Sequence, residues 1–250
     1  MNLKTGKMRE FGLVGRNISY SFSRGYFRKK FEQEQVDARY DNFDLENISL
    51  LPGVLDQHQD LEGFNVTIPY KEAILPYLDS LHPDAAEIGA VNTVKVLESG
   101  RLKGYNTDHL GFSESIRPLL LPEHKKALVL GTGGASRAVV YALSQLGISA
   151  ELVSRNTTGT RSYEDLDEGV LSDHLVLVNC TPLGTFPEVH RFPPIPLQHL
   201  GPRHLVYDLV YNPPVTRLME LATAQGARVS NGQKMLELQA EAAWRIWNRG

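Results

Sequence analysis

A strand, a glycine-rich turn and a helix follow one another between Ala127 and Leu143, and this unit constrains the fold more than any other stretch. It reads Ala-Leu-Val-Leu-Gly-Thr-Gly-Gly-Ala-Ser-Arg-Ala-Val-Val-Tyr-Ala-Leu. The first four residues are apolar, as in a strand buried on both sheet faces, and 135–146 carries apolar residues at helical spacing. Such a turn presents backbone N–H groups and the positive end of the helix dipole, which suits a pyrophosphate. The stretch predicts a dinucleotide site formed by Gly131, Gly133, Gly134, Ala135 and Ser136.

The glycine pattern departs from Gly-x-Gly-x-x-Gly at its last position, where Ser136 stands. The third glycine normally allows the helix to pack closely on the strand, and serine is small enough to do the same. A glycine-rich loop on its own is weak evidence, because glycine clusters also mark ordinary turns. The strand before it and the helix after it favour the dinucleotide interpretation.

Length, composition and charge exclude several classes of protein. The chain has 250 residues and is 42% hydrophobic, so it fits either one large α/β domain or two small ones, of which we favour two. Its formal net charge of -3 leaves no basic surplus for nucleic acid or membrane. No run approaches the roughly 18 apolar residues of a membrane span, and the N-terminus lacks an apolar signal segment. We therefore expect a cytoplasmic protein. The eight histidines have no metal-ligand spacing, so no metal is predicted.

Two serines at the start of the first helix are candidate ligands for a carboxylate. The sequence predicts a strand at Glu10–Gly15 and a helix over Phe22–Gln35, with Ser21 and Ser23 at the junction. A serine at this position usually caps the helix, which accounts for one of the two. In the other interpretation both hydroxyls donate to a bound anion.

Lys71 and Asp108 each have a functional and an ordinary interpretation. Pro69 is expected in the first turn of a helix reaching Leu78, which places Lys71 where the helix dipole disfavours a cation. A solvated surface lysine is the alternative, but the end of a strand in an open sheet is also where ligands bind. Asp108 precedes a predicted helix, 109–117, and is explained equally well as its N-cap.

The residues after the second strand of the dinucleotide unit bear on the choice of cofactor. An NAD site carries Asp or Glu there, whereas an NADP site offers cations to the 2′-phosphate. This chain has Ser154-Arg155-Asn156 with no acid beside them, and Arg161 is either a second phosphate contact or a solvated arginine. The polar stretch 157–162 predicts that the following helix is shortened or lost.

Two further helices are predicted near the C-terminus. The first spans 212–225 and begins at Asn212-Pro213-Pro214, and the second is an amphipathic helix over 233–248.

Several motifs in one order make the chain resemble the shikimate dehydrogenase family over nearly its whole length. They are Ser21-Phe22-Ser23, Asn65-Val66-Thr67-Ile68-Pro69-Tyr70-Lys71, Gly89-Ala90-Val91-Asn92-Thr93, Asn106-Thr107-Asp108, Gly131-Thr132-Gly133-Gly134-Ala135-Ser136-Arg137-Ala138 and Gly232-x-x-Met235-Leu236-x-x-Gln239. This resemblance favours the functional interpretation of Lys71 and Asp108.

The resemblance implies an NADPH-dependent reduction of 3-dehydroshikimate to shikimate in chorismate biosynthesis, by a monomer or homodimer. It implies two α/β domains with the nicotinamide in the cleft between them. A mainly parallel substrate-binding domain spans 1–106 with 233–250, a Rossmann-like NADP domain spans 107–232, and the final helix packs back on the first. The implied site comprises Lys71 and Asp108 for catalysis, Ser21, Ser23, Thr67, Asn92, Tyr211 and Gln239 for substrate, and Gly131, Gly133, Gly134, Ala135, Ser136, Ser154, Arg155, Thr181 and Gly232 for cofactor.

Two departures from the family pattern leave alternatives open. The family's usual Asn-Arg-Thr is replaced here by Ser154-Arg155-Asn156, and the shortened segment after it removes a helix that borders the adenosine pocket. An NAD-using quinate/shikimate dehydrogenase is therefore one alternative, although the lack of an acid beside Arg155 argues against it. A catalytically idle ligand-binding or regulatory paralogue is another, and retention of Lys71 and Asp108 argues against that. A folate-linked Rossmann dehydrogenase is disfavoured by Ser21, Ser23 and Gln239.

Overall fold

A computed structural model describes residues 8–19, 21–155 and 158–249, which form two compact units. The first unit consists of 1–107 together with 240–250, and the second of 108–239. Each unit has its own sheet and its own buried apolar clusters. None of the helices formed by the described residues has the length and apolar character needed to cross a membrane.

The first unit is built on a six-stranded, mainly parallel sheet. Its strands are Arg9–Gly15 (β1), Ala38–Asp44 (β2), Leu61–Val66 (β3), Ser80–Leu81 (β4), Thr93–Val96 (β5) and Leu102–Tyr105 (β6). They lie in the order β2-β1-β3-β5-β6-β4, and only β5 runs against its neighbours. The helices are Phe22–Glu34 (α1), Leu51–Gln57 (α2), Tyr70–Ala73 (α3) and Pro83–Ile88 (α4). This confirms the predicted α/β class.

The helix that carries Lys71 is much shorter than predicted. The expected helix from Pro69 to Leu78 is wrong: α3 has four residues, and a separate 3-10 turn follows at Leu75–Tyr77. Pro76 explains the break, because proline lacks the N–H that would continue the helical ladder and its ring clashes with the carbonyl four residues earlier.

The second unit is a five-stranded sheet in which every pair is parallel. Its strands are Lys126–Leu130 (β7), Ser149–Val153 (β8), Val176–Asn179 (β9), Leu205–Asp208 (β10) and Arg228–Asn231 (β11), in the order β11-β10-β9-β7-β8. The helices are Asp108–Ile116 (α5), Gly134–Gln145 (α6), Glu168–Asp173 (α7), Arg217–Ala224 (α8) and Gln233–Asn248 (α9), which ends in the first unit. Because β8 and β9 lie on opposite sides of β7, the strand order reverses there, and such a switch point is where open α/β sheets bind ligands.

Helix α8 begins later than the sequence predicted. The expected start at Asn212-Pro213-Pro214 is wrong, since the helix starts at Arg217. Pro214 disfavours helical backbone at Pro213. The hydroxyl of Thr216 then accepts the N–H of Met219 at 3.3 Å, so Thr216 is the N-cap.

The end of α9 packs on the first unit, as predicted. Trp247 stacks on Phe11 with ring centroids 4.8 Å apart, and its Nε1 donates to the carbonyl of Val94 at 2.9 Å. Ala240 and Ala243 are fully buried in the same cluster. The tryptophan is thus part of the core, and its polar nitrogen is satisfied by the sheet beneath it.

Gly63 is required where the sheet meets Trp247, and its substitution tests this packing. A Cβ at Gly63 would overlap the Trp247 indole and lie 2.8 Å from the Val94 carbonyl oxygen. We expect Gly63→Ala to lower the free energy of unfolding by about 1–3 kcal/mol in urea titration. The control is Gly53→Ala in α2, where nothing lies within 4 Å, and it should raise that free energy by about 0.5–1 kcal/mol. Equal effects at both glycines would contradict the packing argument.

Candidate active site

One edge of the first sheet collects five of the predicted site residues. Since β1, β3 and β6 are parallel and β5 is antiparallel to its neighbours, the carboxyl ends of three strands and the amino end of β5 share this edge. The residues there are Ser21 and Ser23 beyond β1, Thr67 and Lys71 beyond β3, and Asn92 before β5.

Ser21 is the N-cap of α1. Its hydroxyl oxygen accepts the N–H of Ser23 at 3.2 Å, which confirms the ordinary interpretation for one of the two serines. This bond uses an oxygen lone pair, so capping is compatible with donation of the hydroxyl proton to an anion. Burial raises the pKa of Tyr40, an effect opposed by a hydrogen bond from Ser23, so the tyrosine is a neutral neighbour of that serine.

The backbone around Lys71 is held on both sides. Its carbonyl accepts the N–H of Val91 at 2.7 Å, and the hydroxyl of neighbouring Tyr70 donates to the Leu45 carbonyl at 2.7 Å. Thr67 packs against Gly15, where an added Cβ would lie 2.5 Å from the threonine methyl. Lys71 itself is half-buried. The short helix α3 that carries Lys71 is therefore fixed in position by hydrogen bonds to neighbouring segments.

Asp108 and Gln239 lie on two helices that approach closely within the second unit. The predicted helix 109–117 is shifted by one residue, because Asp108 occupies the first turn of α5 rather than the position before it. Asp108 is buried, and a carboxylate in a first turn is favoured by the helix dipole. A Cβ at Gly111 would lie 2.5 Å from the Met235 carbonyl oxygen and 3.0 Å from the Gln239 nitrogen, so this glycine permits the contact of α5 with α9.

The glycine turn after β7 has the form that a pyrophosphate site needs. Gly131 has a φ of +109°, a backbone conformation open to glycine, and its N–H donates to Val153 at 2.8 Å. Gly133 is the N-cap of α6 and provides no side-chain cap, and a Cβ there would meet nothing within 4 Å. Ser136 is fully buried, as close packing of the helix on the sheet requires. The turn thus leaves space and N–H groups for an anion at the helix start.

The segment after β8 folds back beside that strand. Arg161 exchanges backbone hydrogen bonds with Leu152 and Ser154, and its guanidinium pairs with Glu151 at 3.1 Å. The Ser154 hydroxyl lies 2.9 Å from that of Thr160. Arg155 is exposed, whereas Asn156 of the predicted motif lies outside the described residues. Arg155 thus lies exposed just beyond the end of β8, whereas the guanidinium of Arg161 is paired with Glu151.

Thr181 follows β9 and Gly232 follows β11, the two strands that flank β10 in the second sheet. The Thr181 hydroxyl and N–H both donate to Asn179 Oδ1, at 2.7 and 3.0 Å, and the Asn179 amide donates to Asp208 at 2.8 Å. Burial raises the pKa of Asp208, and hydrogen bonds from Thr216, Val210 and Asn179 oppose the rise. At Gly232 a Cβ would overlap the Leu209 carbonyl, whose carbon would lie 2.7 Å away. The glycine is therefore required by packing, whatever else it contacts.

Several polar residues at the edges of the two sheets were not predicted as site residues from the sequence. Asn65, Thr93 and Tyr40 form a buried network in the first unit, and Asn179 and Asp208 hold the Thr181 turn in the second. A signal was present, because an amide or a carboxylate stands in the last two residues of Leu61–Val66 and of Leu205–Asp208. Throughout the described ranges, no three His, Cys, Asp or Glu side chains are grouped so as to hold a metal.

Comparison with known proteins decides the family. Residues 13–94 match the model of the shikimate dehydrogenase substrate binding domain. The shikimate dehydrogenase (NADP(+)) of Clostridium botulinum strain Hall is 37% identical over 247 residues, which cover 94% of this chain and 95% of that protein. The chain belongs to the shikimate dehydrogenase family.

Solved structures of family members share the fold over both units. Shikimate 5-dehydrogenase from Thermus thermophilus, solved with NADP(H) and shikimate, has a TM-score of 0.85 and 34% identity, covering 96% of this chain and 94% of that one. Quinate dehydrogenase from Corynebacterium glutamicum, solved with NAD, has a TM-score of 0.86 and 27% identity, covering 96% and 93%. The fold is thus common to members named for different substrates and cofactors, and specificity depends on individual residues.

Proposed function

We propose that this protein reversibly reduces 3-dehydroshikimate to shikimate with NADPH, a step of aromatic amino acid (chorismate) biosynthesis. The observation that carries the proposal is the presence of Ser21, Thr67, Lys71 and Asn92 at one edge of the first sheet, in a chain of this family. We place 1–106 with 233–250 as the substrate-binding domain and 107–232 as the NADP-binding domain. The enzyme is cytoplasmic and acts as a monomer or homodimer, which sedimentation velocity would distinguish.

The substrate residues are assigned by the chemistry that each offers. Shikimate has one carboxylate and a ring of hydroxyl groups. Hydroxyl donors bind the carboxylate, and amide, hydroxyl and carboxylate side chains bind the ring hydroxyls. We assign Ser21, Ser23 and Tyr211 to the carboxylate, and Thr67, Asn92, Asp108 and Gln239 to the ring.

Reduction of a ketone requires a proton donor and positive charge beside the oxygen. The nicotinamide supplies the hydride when bound. Negative charge then develops on the substrate oxygen, and an ammonium group both stabilises that charge and gives up a proton. Lys71 is assigned this role. Asp108 is assigned as the acidic member of the catalytic pair.

The residues at the edge of the second sheet fit NADP. The uncapped start of α6 suits the pyrophosphate, and Arg155 is a cation without an adjacent acid, which suits a 2′-phosphate. The residues assigned to hold the cofactor are Gly131, Gly133, Gly134, Ala135, Ser136, Ser154, Arg155, Thr181 and Gly232.

The function is tested by initial rates with purified protein, and Lys71 by its alanine variant. We expect rapid NADP+ reduction with shikimate and slow reduction with quinate or NAD+. Because Lys71 acts in the chemical step, Lys71→Ala should lower kcat by about 100-fold or more. It should change the KM for shikimate far less. Lys29→Ala, at an exposed position on α1, is the control and should match the wild type. Fast turnover with quinate and NAD+ would favour the alternative enzyme, and no turnover by folded protein would favour an idle paralogue.

Gly133 tests the pyrophosphate assignment without disturbing the fold. Gly133→Ala adds a methyl group where the protein leaves open space, so thermal unfolding should change little. The same methyl would crowd a bound pyrophosphate, so the KM for NADP+ should rise by about tenfold. Gly201→Ala, another glycine with nothing within 4 Å, should leave that KM unchanged. An unchanged KM in the Gly133 variant would place the pyrophosphate elsewhere.

Arg155 and Arg161 test which cation selects NADP. Arg155→Ala should raise the KM for NADP+ by about 10- to 100-fold through loss of a charged hydrogen bond, and leave the KM for NAD+ little changed. Arg161→Ala should have a smaller effect, since its guanidinium is paired with Glu151. Equal rises in both variants would mean that Arg161 leaves Glu151 to bind the phosphate.

A further inference from the structure

A buried polar network lies directly behind Asn92 in the first unit. Asn65, Asn92, Thr93 and Thr107 are each less than 5% exposed. The Asn65 side-chain nitrogen donates to the backbone carbonyl of Asn92 and to Thr93 Oγ1, both at 3.1 Å. Thr93 Oγ1 in turn donates to the side-chain oxygen of Asn92, Oδ1, at 3.1 Å. Thr93 Oγ1 also lies 3.2 Å from Thr107 Oγ1. Four polar side chains thus share one buried site, where each unsatisfied group would be costly.

The backbone fixes the direction of both amides in this network. Asn92 Oδ1 accepts the N–H of Thr107 at 2.6 Å, so the oxygen of that side chain must face Thr107. The Asn65 nitrogen faces a backbone carbonyl, so its oxygen is left to accept the Tyr40 hydroxyl, at 2.8 Å. Because a carbonyl only accepts and an N–H only donates, neither amide satisfies these partners if it is turned over.

Thr93 is the member that connects the two amides. Its single hydroxyl accepts from Asn65 and therefore has its one proton for Asn92 Oδ1 or Thr107 Oγ1. The residue itself is fully buried. A valine would keep its shape while removing both the acceptor and the donor.

We infer that Thr93 is a positioning residue, which acts together with Thr107 to hold the Asn92 amide in the orientation that binds a substrate hydroxyl. The inference rests on the proposed function through the role of Asn92. A rotated Asn92 amide would exchange donor and acceptor towards the ring hydroxyl and weaken shikimate binding. Thr93 acts through Asn92 and need not touch the substrate.

The test compares Thr93→Val with Thr93→Ser, using initial rates and calorimetric binding of shikimate. We expect Thr93→Val to raise the KM and Kd for shikimate by about tenfold, because buried hydrogen bonds are lost, and to leave the KM for NADP+ unchanged. Thr93→Ser keeps the hydroxyl and should restore shikimate binding. Side-chain amide NMR of Asn92 provides a readout independent of activity, and its two proton resonances should shift and lose protection from exchange only in the valine variant.

The control for simple destabilisation is Ser115→Ala. Ser115 is also a buried hydroxyl, and it bonds Tyr207 at 2.8 Å in the second unit. Its removal should lower the Tm without changing the KM for shikimate. If Thr93→Val behaves like this control, or if serine fails to restore binding, the positioning role is overturned. If the wild type neither binds nor oxidises shikimate, the proposed function fails, and the Asn92 resonances still decide whether Thr93 orients the amide.

Discussion

Backbone hydrogen bonds between β3, β5 and β6 are the constraint on which the first unit depends. Val66 donates to the Asn92 carbonyl at 2.8 Å, and Asn92 donates to the Tyr105 carbonyl at 3.1 Å. Val91 donates to the carbonyl of Lys71 at 2.7 Å. The reversed strand β5 therefore enters the sheet at the same edge where the parallel strands end. Asn92 and Lys71, which are distant in sequence, therefore lie beside one another along that edge.

The second unit reaches a comparable arrangement with a purely parallel sheet. All five strands end at one edge of the sheet. Hydrogen bonds from strand residues stabilise the turns there: Asn179 Oδ1, for example, accepts both the N–H and the hydroxyl of Thr181. Packing also explains two glycines, since Gly111 and Gly232 would each place a Cβ against backbone. Gly131 instead has a positive φ in the turn after β7, and Gly133 is the N-cap of α6 with open space where a Cβ would lie. Gly131 and Gly133 are therefore placed to bind a ligand, whereas Gly111 and Gly232 are required by the packing of the fold.

Periodicity predicted most elements, and the two clear failures involve proline. The sequence predicted one long helix after Pro69 and an early start for α8, but Pro76 ended the first and Pro214 delayed the second. Both predictions placed the start of a helix at a proline and left out the missing N–H and the steric clash of the next proline along the chain. The cap at Thr216 was not predicted, because serine and threonine are common in turns as well as at helix starts.

The sequence by itself determined the α/β class, the glycine turn at Gly131 and the identity of candidates such as Ser21 and Lys71, because periodicity, glycine and ordered motifs are local properties of the chain. The tertiary structure decided which polar groups support them. That Thr93 joins Asn65 to Asn92, and that Arg161 is paired with Glu151, depends on strand register and on chain reversal. No local pattern encodes such contacts, since each requires residues from separate strands or turns to be brought within hydrogen-bonding distance by folding.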